Sequence, residues 1–162
     1  MQPLWVWLAA GLAVAILGFD AYVRLAPSDP ARWHVDPLSA PGTGKPNSFR
    51  LAPEGMQAEA ADGVAPVFAM TAGELAAAFD RMALAQPRTR RLSGSAEAGF
   101  VTYVQRSRVF GFPDYVSVRF IDLPEGGASL AIWSRARFGS GDFGVNRARV
   151  ENWLAALGGF TS

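Results

Sequence analysis

The chain is 162 residues long, half of them hydrophobic and 18% charged, with a net charge of +1. That leaves room for one domain once an apolar N-terminal stretch is set aside. Having no Cys excludes disulfides and thiolate sites, and a single His excludes any His-rich metal centre within the chain.

The charge is unevenly spread, −3 over residues 1–87 and +4 over residues 88–162. A surplus of four is far below the basic footprint of a nucleic-acid binder, so no nucleic-acid partner is expected. Every basic residue except Lys45 is Arg. Arg is the better fork for carboxylate and phosphate, although GC-rich coding sequence yields the same bias.

From Pro3 to Phe19 no residue is charged, and eight positions are Leu, Val, Ile or Phe. Extending this helix to Val23, with Asp20 at the interface, gives the length a bilayer core needs. Trp5, Trp7 and Tyr22 suit the interfacial belts. A cleaved signal peptide needs a basic leader and a small-x-small site after the apolar run. Ala13-Val14-Ala15 falls inside the run and no Lys or Arg precedes Arg24, so an uncleaved anchor is expected. The reading is therefore a single-pass chain that meets the lipid bilayer through residues 3–23. Arg24 and Arg32 on one flank, against only the α-amine on the other, leave the side of the membrane open.

Residues 26–66 are rich in Pro, Gly and Ser and read as an extended connector between the anchor, residues 1–25, and a domain over residues 67–162. Within the connector, Asp29-Pro30-Ala31-Arg32-Trp33-His34-Val35-Asp36-Pro37 is too aromatic for a spacer, so Trp33 is expected to dock.

Thr71-Ala72-Gly73-Glu74 is a capping box, with Met70 and Leu75 placed as a hydrophobic staple. Leu75, Ala78, Phe79 and Met82 follow helical spacing, and Pro87 lies past the end. Four strands are expected at about 88–92, 99–110, 115–122 and 129–137. The third alternates cleanly, Val116, Val118 and Phe120 against Ser117, Arg119 and Ile121. The turns at 111–114 and 123–127 join these strands into an antiparallel meander. A final helix has Val150, Trp153, Leu154 and Leu157 as its apolar stripe. The expected fold is thus α+β: an N-terminal transmembrane helix, then an antiparallel sheet of about four strands flanked by two helices on one face.

The densest polar stretch is Ser134-Arg135-Ala136-Arg137-Phe138-Gly139-Ser140-Gly141-Asp142-Phe143-Gly144-Val145-Asn146-Arg147-Ala148-Arg149. It runs off a strand, through a glycine loop, into a helix start. Arg135 and Arg137 share one strand face, as do Arg106 and Arg108 on the second strand, with Asp114 in the following turn. Several Arg with free helix-start amides can hold a phosphate or carboxylate. Equally, Asp142 or Asn146 can cap the last helix, Arg147 and Arg149 can pair with Asp114, Asp142 or Glu151, and the glycines can serve tight turns. The spacing fits neither a Walker loop nor a dinucleotide fingerprint.

This run, together with Ser107-Arg108-Val109-Phe110-Gly111-Phe112-Pro113-Asp114, resembles the family called domain of unknown function 1499. The resemblance covers about residues 45–157 and rests on the Asp-x-Gly-x-Asn-Arg signature at Asp142, Gly144, Asn146 and Arg147. Arg24-Leu25-Ala26-Pro27 and Asp29-Pro30-Ala31-Arg32-Trp33-His34 look like proteobacterial members with an N-terminal membrane segment, which implies a bacterial inner membrane. Many members carry Asn-Cys near their start. Here Asn47 is followed by Ser48, so no role for that Cys carries over. The resemblance implies no activity.

Catalytic readings are thin. A Ser-His-Asp triad must use His34 with Ser107 or Ser134 and with Asp36 or Asp114, yet no nucleophile elbow accompanies them. His34 with Asp29 and Asp36 is a poor metal set. An Asp114–Asp142 acid–base pair is expected to be held ionised by its Arg neighbours. No metal, cofactor or catalytic residue is assigned. The leading reading is a membrane-anchored, non-enzymatic domain that binds an anionic small molecule, lipid headgroup or protein partner. The candidate ligand-binding residues are Arg106, Arg108, Asp114, Arg135, Arg137, Gly139, Asp142, Gly144, Asn146 and Arg147. The alternatives are an enzyme using Asp114 and Asp142 with the Arg cluster, or a structural accessory subunit whose Arg network is internal.

Overall fold

The computed structural model describes residues 3–56 and 61–158. Met1 and Gln2, residues 57–60 of the expected connector and residues 159–162 of the expected domain lie outside the described residues.

Helix α1 (Leu4–Leu25) is apolar around its whole circumference and is exposed along most of its length, with Trp7 at 66% and Leu17 at 68% of full exposure. Its 22 residues rise about 33 Å. That is the length and composition of a single membrane span or a signal sequence. Only its last turns meet the rest of the chain: Val23 is fully buried, and Phe19 and Tyr22 set their rings edge-on to Phe112 and Phe138.

The sheet has six strands rather than the four expected. They are β1 (Ser48–Ala52), β2 (Gly63–Val64), β3 (Thr89–Ser95), β4 (Phe100–Arg106), β5 (Pro113–Asp122) and β6 (Ala128–Ala136), in the order β2-β1-β6-β5-β4-β3. All neighbours are antiparallel except β1 and β2, which run parallel. Strands β3 to β6 form the expected meander. The two extra strands come from the Pro-rich stretch. Five residues between Pro46 and Pro53 carry Phe49 and Leu51 into the core on one face and Arg50 onto Trp133 on the other. A strand this short is held by its pairing with β6, a partner far away in sequence, which local periodicity cannot reveal.

Helices α3 (Ala72–Ala85) and α4 (Val145–Ala156) cover one face of the sheet. Leu75, Phe79, Val150, Trp153 and Leu154 pack on Val101, Tyr103, Val116, Val118, Leu130 and Ile132, as the alternation of β5 requires. The other face is crossed by residues 26–47, a strap that contains the single-turn helix α2 (Pro30–Trp33). Asp29 caps α2 by accepting from the Ala31 amide at 2.9 Å, and Pro30 supplies the first helical position. The turn delivers Trp33 onto Tyr115, ring centroids 3.9 Å apart, so the expected docking of Trp33 is found.

The capping box of α3 is complete. The Thr71 hydroxyl accepts from the Glu74 amide at 3.2 Å, and the Glu74 carboxylate accepts from the Thr71 amide at 2.8 Å. Thr71→Ala should therefore cost about 0.5–2 kcal/mol in denaturant unfolding. An unchanged midpoint would mean that the cap contributes nothing.

Candidate functional site

The residues singled out in the sequence separate onto the two faces of the sheet. On the helix face, α4 places Arg149 over the ends of β4, β5 and β6. Its guanidinium donates to Asp114 and to the Asn146 side-chain oxygen Oδ1 at 2.6 Å each, to the Ser134 hydroxyl at 2.9 Å and to Gln105 at 2.6 Å. Asn146 is fully buried and donates to the Asn47 carbonyl at 3.0 Å and to Asp142 at 2.6 Å. Asp142 also accepts from the Gly144 and Asn146 amides, closing the loop onto the first turn of α4. Arg149 is the residue that ties this network together, and the sequence motif ended on it without assigning it to the site.

Burial raises the Asp114 carboxyl above its ordinary range against the pull of Arg149, with Asp142 adding to the rise. The expectation that Arg neighbours hold both carboxylates low therefore fails at Asp114, because desolvation outweighs the one guanidinium in reach. Gly139 and Gly144 take left-handed backbone, φ 87° and 80°. No protein atom lies close to where a Cβ would sit on Gly144, so what calls for glycine here is the left-handed turn into the helix. Gly139 offers its carbonyl to Asn47 at 2.9 Å. Arg147 is exposed, stacks on Phe49 and reaches Glu151 at a loose 3.7 Å.

On the strap face, Arg135 lies buried with its guanidinium 5.6 Å from the Trp33 ring centre and 4.2 Å from that of Trp133. It donates to the Trp33 carbonyl at 2.5 Å and to the Ser117 hydroxyl at 3.2 Å. Burial, with Arg50 nearby, pushes its pKa down to about 9. Arg137 donates to the Pro27 carbonyl at 2.8 Å. Both arginines thus fasten the strap to β6.

His34 closes the same face. Its Nδ1 lies 2.9 Å from the Thr102 hydroxyl and its ring stacks on Phe100, whose other neighbour is Arg119, itself paired with Asp36 at 2.7 Å. Among the described residues His34 forms no hydrogen bond to Ser107 or Ser134, so no triad is assembled there. Burial, then Arg119, lowers the His34 pKa. The folded chain then binds the proton less readily than the unfolded one, so stability is lost as pH falls through the usual histidine range near 6.5. Unfolding midpoints measured between neutral and mildly acid pH should fall less steeply for His34→Gln than for the natural chain. Parallel pH profiles would remove His34 from this account.

Arg106 and Arg108 have a different setting. At the end of the strap face, beside the last turn of α1, a cavity of about 420 Å³ is lined by Arg24, Arg88, Arg90, Arg106 and Arg108. The antiparallel register sets Arg90 beside Val104, and Arg106 donates its amide to the Arg88 carbonyl, so the basic positions of two strands fall side by side. Three of the five are oriented by backbone carbonyls: Arg24 donates to Val109, Arg88 to Arg106, and Arg106 to Val23 and Gly111. Arg24 is also paired with Asp20 at 2.8 Å. The side chains of Arg90 and Arg108 are exposed and, among the described residues, form neither an ion pair nor a hydrogen bond. A set of guanidiniums held in place with donors to spare is suited to a multiply charged oxyanion. Sequence reading missed Arg24, Arg88 and Arg90. The available signal was the pair of i, i+2 basic positions on consecutive strands of a meander.

Among the described residues no group of three His or carboxylate side chains is placed to hold a metal. A family model described as "Protein of unknown function (DUF1499)" matches residues 40–157. No curated protein and no solved structure matches the chain.

Proposed function

The chain belongs to the DUF1499 family, and on that footing we propose that it is a membrane-anchored, non-enzymatic domain that binds an anionic group in the arginine-lined cavity where anchor and sheet meet. In this reading residues 3–23 cross a bacterial inner membrane. The observation that carries it is the cavity: five arginines around about 420 Å³, two of them with no partner among the described residues. Helix α1, exposed and apolar on every side, supports the anchor.

The cavity is preferred over the Arg135–Arg147 run because that run already spends its donors inside the fold. Arg135 and Arg137 serve strap carbonyls, and Asn146 and Asp142 serve each other and the start of α4. Asp114, the other half of the enzymatic alternative, is committed to Arg149. The internal network keeps the structural role that the alternative reading of the motif described, while the charge near α1 is left for recognition.

The test is calorimetric titration of the full chain in a nonionic detergent with inorganic phosphate. Binding should weaken steeply as salt rises, and Arg90→Gln or Arg108→Gln should each weaken it about tenfold, with thermal stability unchanged because both side chains are exposed. Absence of phosphate binding in the natural chain, or full binding in the double variant, would overturn the reading.

A further inference from the structure

The cavity has an apolar neighbour. A groove of about 730 Å³ runs between the second half of α1 and the turn after β4, lined by Ile16, Phe19, Val109, Phe110 and Phe112, with Asp20 its one charged group. Val109 and Phe110 are 67% and 57% exposed, unusual for two adjacent large apolar residues at a turn. The turn is fixed, not loose: Arg24 donates to the Val109 carbonyl at 3.0 Å, Phe112 donates its amide to the Ser107 hydroxyl at 3.0 Å, and Phe112 packs edge-on to Phe19. The segment from Arg106 to Phe112 borders both spaces, and Arg24 and Val23 sit where they join.

Depth along α1 orders the two. The groove follows residues 15–23, about 12 Å of helix, and the arginines gather at Arg24, where the helix ends. In a bilayer spanned by α1, the groove lies at the level of acyl chains and the arginines lie at the level of headgroups. We infer that the ligand is a single anionic phospholipid, with its phosphate among Arg24, Arg90, Arg106 and Arg108 and one acyl chain in the groove between α1 and the Val109–Phe112 turn. This rests on the anion-binding reading and adds the lipid source and the second contact. The charge complementarity selects an anionic lipid over a neutral one, and the groove selects a lipid over a free anion.

The experiment is native mass spectrometry of the full chain released from mixed micelles containing equal amounts of dioleoyl phosphatidate and dioleoyl phosphatidylcholine. The retained lipid should favour phosphatidate about tenfold. Arg90→Gln with Arg108→Gln should abolish the preference. Val109→Ser with Phe110→Ser should reduce retention of phosphatidate while leaving inorganic phosphate binding as in the natural chain, and both positions are exposed enough for the fold to accept the change. Equal retention of the two lipids, or full retention by the Val109→Ser, Phe110→Ser variant, would overturn the lipid assignment. If phosphate still binds, the anion site stands and only the lipid is wrong. If neither phosphate nor phosphatidate binds, both readings fall.

Discussion

Asp114→Ala should destabilise the fold by about 3–5 kcal/mol, because it strands a guanidinium that folding has already removed from water. Arg149 and Asp114 keep 8% and 12% of their side-chain surface exposed and meet at 2.6 Å. The alanine removes the only carboxylate paired with Arg149 among the described residues and leaves its charge facing Ser134, Asn146 and Gln105. The raised pKa of Asp114 shows that its own burial is unfavourable when ionised, so the pair is not simply additive. Replacing both partners with apolar residues, Asp114→Leu with Arg149→Met, should accordingly recover a large part of the loss. Denaturant unfolding of the natural chain, the two single variants and the double variant measures the coupling. A double variant no more stable than the worse single one would mean that the network, not the pair, carries the stability.

Arg135 is expected to behave in the opposite manner on the other face. Its charge is buried with no carboxylate in contact among the described residues, and its pKa is pushed down to about 9, so the charged form opposes folding at neutral pH. What it contributes is shape and donors: it fills the space between Trp33 and Trp133 and satisfies the Trp33 carbonyl. Arg135→Ala should cost about 2–4 kcal/mol through the cavity and the unpaired carbonyl. Arg135→Met keeps the length and sheds the charge, and should lie well above the alanine variant in stability. Fluorescence of the buried tryptophans during unfolding reads both. Equal losses for Met and Ala would assign the effect to the hydrogen bonds and not to the packing.

The local signals in the sequence were sound where the cause is local. Thr71 and Glu74 announce the start of α3, and Val116, Val118 and Phe120 announce which face of β5 is covered, because a cap needs three residues and a strand face needs alternation. Strand β1 was not legible. Ser48 to Leu51 pair with β6, and nothing within so short a stretch between prolines states that partner. The same limit applied to the arginines. Arg135 and Arg137 share a strand face, as the spacing says, but the groups they serve are carbonyls of Trp33 and Pro27 on a strap distant in the chain. Arg106 and Arg108 were legible as candidates, whereas Arg24, Arg88 and Arg90 join them only through the register of β3 with β4 and the seat of α1. Electrostatic sites assembled across strands are written in pairing, and pairing is what a single sequence conceals.

The position of β1 also sets the order in which the protein can be made. Ser48 faces Arg135 and Leu51 faces Ile132, so at roughly 5–20 residues per second a ribosome completes β6 about 4–17 s after β1. Throughout that interval α1 has emerged, while β1 has no neighbour on its β6 side and the sheet has no centre. The nascent chain therefore waits with Phe49 and Leu51 uncovered. When β6 arrives, the short turn after β5 satisfies one of its edges at once, but the other must close a loop of more than eighty residues onto β1, a slow, non-local step that favours capture by another chain if it is delayed.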